Sequence, residues 1–184
     1  MSERYEVRLA GKGGQGMILA GIILAEAAIL DGKNVTQTQS YGPEARGGAS
    51  RSEVVISDGE IDYPKVTQAD VLLCMSQEAC DRYCHDLKEH GLLIADSVHV
   101  ERTPDNLAVE VPLTRWAEET TGRQITASVV ALGFLVGLTG LVSRQAMEAA
   151  VKARAPKGTA EINLKALAVG FEQAERLLSS RRGR

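Results

Sequence analysis

Gly11, Lys12, Gly13, Gly14, Gln15 and Gly16 stand in one unbroken run, and a second cluster, Ser40-Tyr41-Gly42-Pro43-Glu44-Ala45-Arg46-Gly47-Gly48, follows further along the chain. Each is suited to holding an anion, by a different route. Glycines leave a turn without Cβ atoms, so its backbone can take positive φ and come close to a bound group. If a helix starts there, its first N–H groups point into the same space, and the helix dipole favours negative charge. In the second cluster Arg46 supplies a planar guanidinium that is always charged and fits phosphate or carboxylate. Gly47 and Gly48 let the chain turn sharply beside it.

Such a first cluster needs a strand before it and a helix after it. Residues 4–10 carry a short strand pattern, and residues 17–30 are an apolar, alanine-rich run that reads as a helix. Strand, glycine turn and helix open a dinucleotide-binding unit. The next strand, residues 33–39, leads into the second cluster. In a parallel βαβ unit both clusters lie at the C-terminal edge of the sheet, where open α/β sheets bind ligands. The expectation is one cofactor-binding site built from Gly11, Gly13, Gly14, Gln15 and Gly16 together with Ser40, Tyr41, Gly42, Pro43, Glu44, Arg46, Gly47 and Gly48. The plainer alternative is a turn that only packs the helix tightly onto the sheet. A P-loop is excluded, because no Gly-Lys-Ser/Thr closes the run. NAD is disfavoured: the acidic residue expected about 20 residues on, at the end of the second strand, is replaced by Gln37, Gln39 and Ser40, and Asp31 comes too early.

The bulk properties narrow the class. At 184 residues, 44% hydrophobic and 24% charged, the chain has the make-up of one ordinary soluble domain, residues 1–180 with a basic tail at 181–184. A net charge of −3 and an aromatic fraction of 4% speak against nucleic acid as a partner. The first residues are charged and lack an apolar signal core, and the longest apolar run, 127–142, is short for a membrane span. A cytoplasmic protein with no membrane partner is expected. Cys74, Cys80 and Cys84 match neither a zinc nor a ferredoxin-type spacing and read as reduced thiols.

Further along, residues 53–57 and 60–63 flank Asp58-Gly59, a hairpin signal that predicts an antiparallel piece in the sheet. Residues 71–75 predict a central parallel strand. Ser76 can cap a helix over 77–90 that Gly91 would close, before a strand at 92–95. A strand at 107–111 and a helix at 114–121 come next. Residues 128–138 are apolar nearly all round, with Gly133 and Gly137 four apart, which suits a core helix or a subunit interface. Ser143 caps a helix over 144–154, and Thr159 one running to about 180. The sum is an α/β fold: a three-layer Rossmann-like domain with a mixed, mostly parallel sheet and a β-hairpin. His85 and His90 fall on a charged helix face, where solvated histidine is the default. Asp96 and His99 lie near a strand end and are second-rank site candidates.

With both glycine clusters in view, the chain resembles the gamma subunit of 2-oxoacid:ferredoxin oxidoreductases. The residues that carry the resemblance are Gly11 to Gly16, Ser40 to Gly48 and Ser52 to Ser57, with a weaker match in the Asn163–Gly170 spacing. GxGGQG followed about 25 residues later by GPExRGG is a specific pair. The unbroken second loop looks most like the 2-oxoglutarate type. The resemblance implies a complex with alpha, beta and often delta chains. That complex uses thiamine diphosphate, magnesium, iron–sulfur clusters and coenzyme A to decarboxylate a 2-oxoacid oxidatively and reduce ferredoxin. This chain has no Gly-Asp-Gly with a downstream Asn-Asn and no cluster-binding cysteine set, so no catalytic residue, metal or firmly bound cofactor is expected in it, and alone it should run no reaction. Its glycine loops are expected to bind coenzyme A phosphates or close the composite active site. In the plainer reading Arg46 pairs with Glu44 and the loop packs on a sister subunit. Alone, the chain could form a homodimer; the alternative for the whole chain is an independent Rossmann-type nucleotide- or CoA-binding module.

Overall fold

The computed structural model describes residues 3–41, 48–104 and 108–183. Six strands form one sheet in the order β2-β3-β1-β4-β5-β6: β1 (Arg4–Lys12), β2 (Asn34–Ser40), β3 (Ala49–Ser57), β4 (Ala69–Cys74), β5 (Leu87–Asp96) and β6 (Val109–Val111). β1, β4, β5 and β6 run parallel, and β3 runs against both β1 and β2. The helices are α1 (Met17–Leu30), α2 (Gln77–Tyr83), α3 (Leu113–Thr121), α4 (Ala127–Thr139), α5 (Arg144–Arg154) and α6 (Ala160–Arg182).

Strand side chains alternate between the two faces, and the faces are unequal. Val7 and Leu9 of β1, Val54 and Ile56 of β3, Leu73 of β4 and Ile94 of β5 join the large core formed with α1, α4, α5 and α6. Their neighbours Ala10, Leu72, Cys74, Leu93 and Ala95 pack on Ala79, Cys80 and Tyr83 of α2. The expected α/β three-layer architecture with a mixed, mostly parallel sheet is therefore present, with one thick helical layer and one thin. Among the described residues no helix is long and apolar enough to cross a membrane.

α4 is apolar all round because it lies in the middle of the thick layer, with every residue from 127 to 136 buried. Gly133 faces α6, where an added Cβ would stand 2.3 Å from the Leu167 carbonyl oxygen. The small residues of this helix thus serve a core crossing.

The structure corrects the sequence reading in four places. Residues 60–63 form no strand. β3 already has β1 on one side and β2 on the other, so no free edge remains for a hairpin partner. Instead the Gly59 and Pro64 carbonyls accept bonds from the Asn34 and Thr36 side chains of β2, at 3.0 and 2.8 Å. The antiparallel pair formed by consecutive strands is β2–β3. As a consequence β2 is parallel to β1 but not its neighbour, since β3 lies between them. The helix expected over 77–90 stops at Tyr83, passes through one 3₁₀ turn at Cys84–Asp86, and gives way to β5, which contains His90 and Gly91. Pairing of Leu87 with Ala69 of β4 draws this segment into the sheet. Finally, Thr159 stands at the start of α6 without capping it: its hydroxyl donates to the Pro156 carbonyl at 2.7 Å. Ser76 and Ser143 cap α2 and α5 as expected, and α6 continues through Arg181 and Arg182.

Candidate functional site

β1 ends at Lys12, and the glycine turn reverses into α1. Two of its residues need the left-handed region, Gly14 at φ 87° and Gly16 at φ 79°. The shape of the turn is held by Gln15. Its Oε1 accepts from the Lys12 N–H at 2.7 Å, and its Nε2 donates to the Met75 carbonyl at the end of β4 at 2.8 Å. A Cβ on Gly11 would come within 2.6 Å of that Oε1, so Gly11 leaves room for the pin. The Gln15 amide is thus engaged within the chain and acts by setting the turn. α1 begins at Gly16 without a side-chain cap and without an acidic residue in its first turn, so no side chain of this segment offsets its positive end.

The chain leaves β1 towards β3 and β2 on one side and returns to β4 on the other. The crevice between β1 and β4 is therefore the point where strand order reverses, the usual ligand position in open α/β sheets. A cleft of about 390 Å³ opens there, within the range of small-molecule sites. Turn residues 12–15 and Met75 form one wall, His99 and Thr114 another, and Gln124, Ile125 and Ala127 the third. Lys12 and His99 are its only ionisable lining residues; no carboxylate lines it among the described residues.

Behind His99 lies Asp96, fully buried at the end of β5. Its carboxylate meets the His99 Nδ1 at 2.8 Å and accepts from the Thr114 hydroxyl at 2.6 Å. It also accepts from the Thr114 and Val98 backbone N–H groups, at 3.2 and 3.4 Å. Asp96 and His99, second-rank in the sequence, thus share one cleft with the glycine turn. Thr114, Met75 and Ile125 carried no sequence signal, because Met75 reaches the site through the pairing of β4 with β1, and Thr114 and Ile125 through the placing of α3 and the turn after it.

For the second cluster, register places the end of β2 at the same rim. Ser40 stands opposite Arg51 on β3, and Arg51 opposite Ala10 on β1, so two strand spacings, roughly 10 Å, separate the two ends. Ser40, Tyr41 and Gly48 are described, and Tyr41 is exposed. Gly42, Pro43, Glu44, Arg46 and Gly47 lie outside the described residues. Asp31, too early for a ribose ligand, accepts the Ser143 hydroxyl at 2.7 Å at the start of α5. His85 and His90 do not line the cleft. Cys74, Cys80 and Cys84 are free thiols, the first two within the smaller core. A bond to Cys80 and burial push the Cys74 thiol well above the ordinary range. Among the described residues no three His, Cys, Asp or Glu side chains gather as a metal-holding group.

A glycine turn at the end of the first strand, opening on a switch-point crevice beside an uncapped helix start, defines a Rossmann-like domain. A family model described as pyruvate ferredoxin/flavodoxin oxidoreductase matches residues 6–173. The chain is 51% identical over 179 residues to the 2-oxoglutarate synthase subunit KorC of Methanocaldococcus jannaschii, covering 95% of this chain and 96% of that one. It is 34% identical to the ketoisovalerate oxidoreductase subunit VorA of Methanothermobacter marburgensis, covering 94% of this chain but 37% of that longer one. The crystal structure of the keto/oxoacid ferredoxin oxidoreductase gamma subunit of Geobacter sulfurreducens superposes with a TM-score of 0.85 at 51% identity, covering 95% of this chain and 98% of that one. The chain belongs to the pyruvate ferredoxin/flavodoxin oxidoreductase family, as a gamma subunit related to the 2-oxoglutarate-type enzymes.

Proposed function

We propose that the chain serves a coenzyme A-acylating 2-oxoglutarate:ferredoxin oxidoreductase, and that its cleft takes the phosphates of coenzyme A. The observation that carries the site is the switch-point cleft itself: residues 12–15 of the glycine turn line a space that, among the described residues, no acidic side chain lines. The likeness to KorC over nearly the whole chain supports 2-oxoglutarate as the substrate of the complex. In this reading alpha and beta chains, and a delta chain where present, accompany it, and ferredoxin takes the electrons. Thiamine diphosphate, magnesium and the iron–sulfur clusters then belong to the partner chains. They supply the decarboxylation and the electron path, while this chain binds and orients the acyl acceptor. In this reading Arg46, which lies outside the described residues, is a further phosphate contact, because Ser40 at the end of β2 reaches the same rim.

Two experiments test this. Purification of the tagged chain from its native cells is expected to bring down partner chains carrying thiamine and clusters, with activity on 2-oxoglutarate exceeding that on pyruvate or 2-oxoisovalerate. A monodisperse monomer that binds NAD would contradict the reading and favour an independent nucleotide-binding module. In the assembled enzyme, Lys12→Ala and Arg46→Ala are each expected to raise the KM for coenzyme A by about tenfold, the worth of one charge-assisted hydrogen bond, with the 2-oxoacid KM unchanged. An unchanged coenzyme A KM with weaker assembly would show that the loops pack on a sister subunit instead.

A further inference from the structure

Asp96 does more than the start of α3 requires. A carboxylate that accepts the Thr114 N–H already answers that helix end. Here it also holds an imidazole whose side chain is 40% exposed and lines the cleft. An ionised carboxylate can only accept, so His99 must keep its proton on Nδ1. The nitrogen left over, Nε2, makes no bond among the described residues. The ring is thus fixed in position and tautomer by a buried group, as buried carboxylates fix working histidines in other proteins.

We propose that His99 is a ligand-contacting residue of the cleft, oriented by Asp96 so that Nε2 bonds to the phosphorylated, nucleotide end of coenzyme A. The inference rests on the coenzyme A reading of the cleft. Among the described residues His99 and Lys12 are the only ionisable groups in the lining, and both can be cationic. His99 faces the glycine turn and its Lys12 across a space of about 390 Å³, room for part of so large a cofactor and not for all of it. The charged part is the one this lining suits. The uncharged thiol arm is left free to reach the reacting centre on the partner chains. When a phosphate oxygen arrives, the imidazolium donates from Nε2 while Nδ1 stays on Asp96. Asp96 is a positioning residue and touches no ligand.

The test uses the assembled complex and adenosine 3′,5′-bisphosphate, which carries phosphates but no thiol. In the wild type the bisphosphate is expected to compete with coenzyme A. His99→Gln is expected to raise both the KM for coenzyme A and the inhibition constant of the bisphosphate by about tenfold, with kcat and the 2-oxoacid KM held within about twofold. Pantetheine, which lacks the nucleotide, should be used equally well by both enzymes. Asp96→Asn presents a donor to Nδ1, and its effect should not add to that of His99→Gln, because it acts through the same ring. Should the bisphosphate compete in the wild type while His99→Gln leaves both constants unchanged, or lowers kcat alone, the role given to His99 is overturned and the cleft reading survives. If the bisphosphate does not compete even in the wild type, the cleft reading falls, and this inference with it.

Discussion

Arg8→Ala is expected to lower the free energy of unfolding by about 3–5 kcal/mol, the cost of leaving a buried charge without its partner. Arg8 lies on β1, facing the thin layer, with its side chain 3% exposed; Glu53 on the adjacent β3 is 7% exposed, and the two meet at 2.9 Å. The guanidinium also reaches Asp86 at 2.9 Å and lies over the Tyr83 ring at 5.3 Å. Without it, Glu53 keeps, among the described residues, only Arg51 at 3.6 Å and the Thr38 hydroxyl at 3.4 Å. Both are too distant to replace a buried charge-assisted bond. Arg51 is the nearest replacement, and its movement towards Glu53 would bring the loss to the lower end of the range. Urea unfolding of the purified chain measures it. For a domain of this size the melting temperature should fall by on the order of 10 °C. The paired change Arg8→Met with Glu53→Leu should recover most of the loss, since apolar groups of similar volume replace a buried ion pair at little cost. A loss below about 1 kcal/mol for Arg8→Ala would mean that water screens the pair as it does at a surface.

Gly170→Ala is expected to destabilise the chain by about 2 kcal/mol, against the helix-propensity gain of about 1 kcal/mol that this substitution gives in an open helix. An added Cβ would stand 2.1 Å from the Val130 carbonyl oxygen and 2.6 Å from the Phe134 nitrogen. These are backbone atoms of α4, which cannot rotate away as a side chain can. α4 and α6 must move apart, and Phe134, Leu167 and Phe171 lose contact in the large core. Gly133→Ala should behave alike, with its Cβ 2.3 Å from the Leu167 carbonyl oxygen. Gly183→Ala is the control. Its Cβ meets only the Ser179 carbonyl oxygen at 3.8 Å, and its effect should stay within about 0.5 kcal/mol. Equal melting temperatures for the three variants would show that the crossing is looser than its geometry states.

What could be read without coordinates was local. α1 is an unbroken apolar run between a glycine turn and Asp31, and its bounds follow from those letters. α4 announces itself by apolar residues on every side, which only a buried helix tolerates. The glycine turn was legible because the strand before it and the helix after it give the spacing its meaning. What misled was also local. Asp58-Gly59 favours a tight turn whatever surrounds it, but whether a strand follows depends on a free sheet edge, and β1 had already taken it. Lys88, Glu89 and His90 look at home on a solvated helix, yet Leu87 pairs with Ala69 and the segment becomes strand. The cleft was half legible for the same reason. The turn and Arg46 stand out as letters, whereas the contact of Asp96 with Thr114 depends on β6 lying beside β5.

The account's central claim is that coenzyme A phosphates lie against the glycine turn. Amide hydrogen exchange in the assembled enzyme, with and without coenzyme A, tests it most directly. Coenzyme A is predicted to slow exchange at the backbone amides of residues 13–19, while pantetheine leaves them unchanged. Unaltered exchange there at coenzyme A concentrations that saturate turnover would contradict the claim.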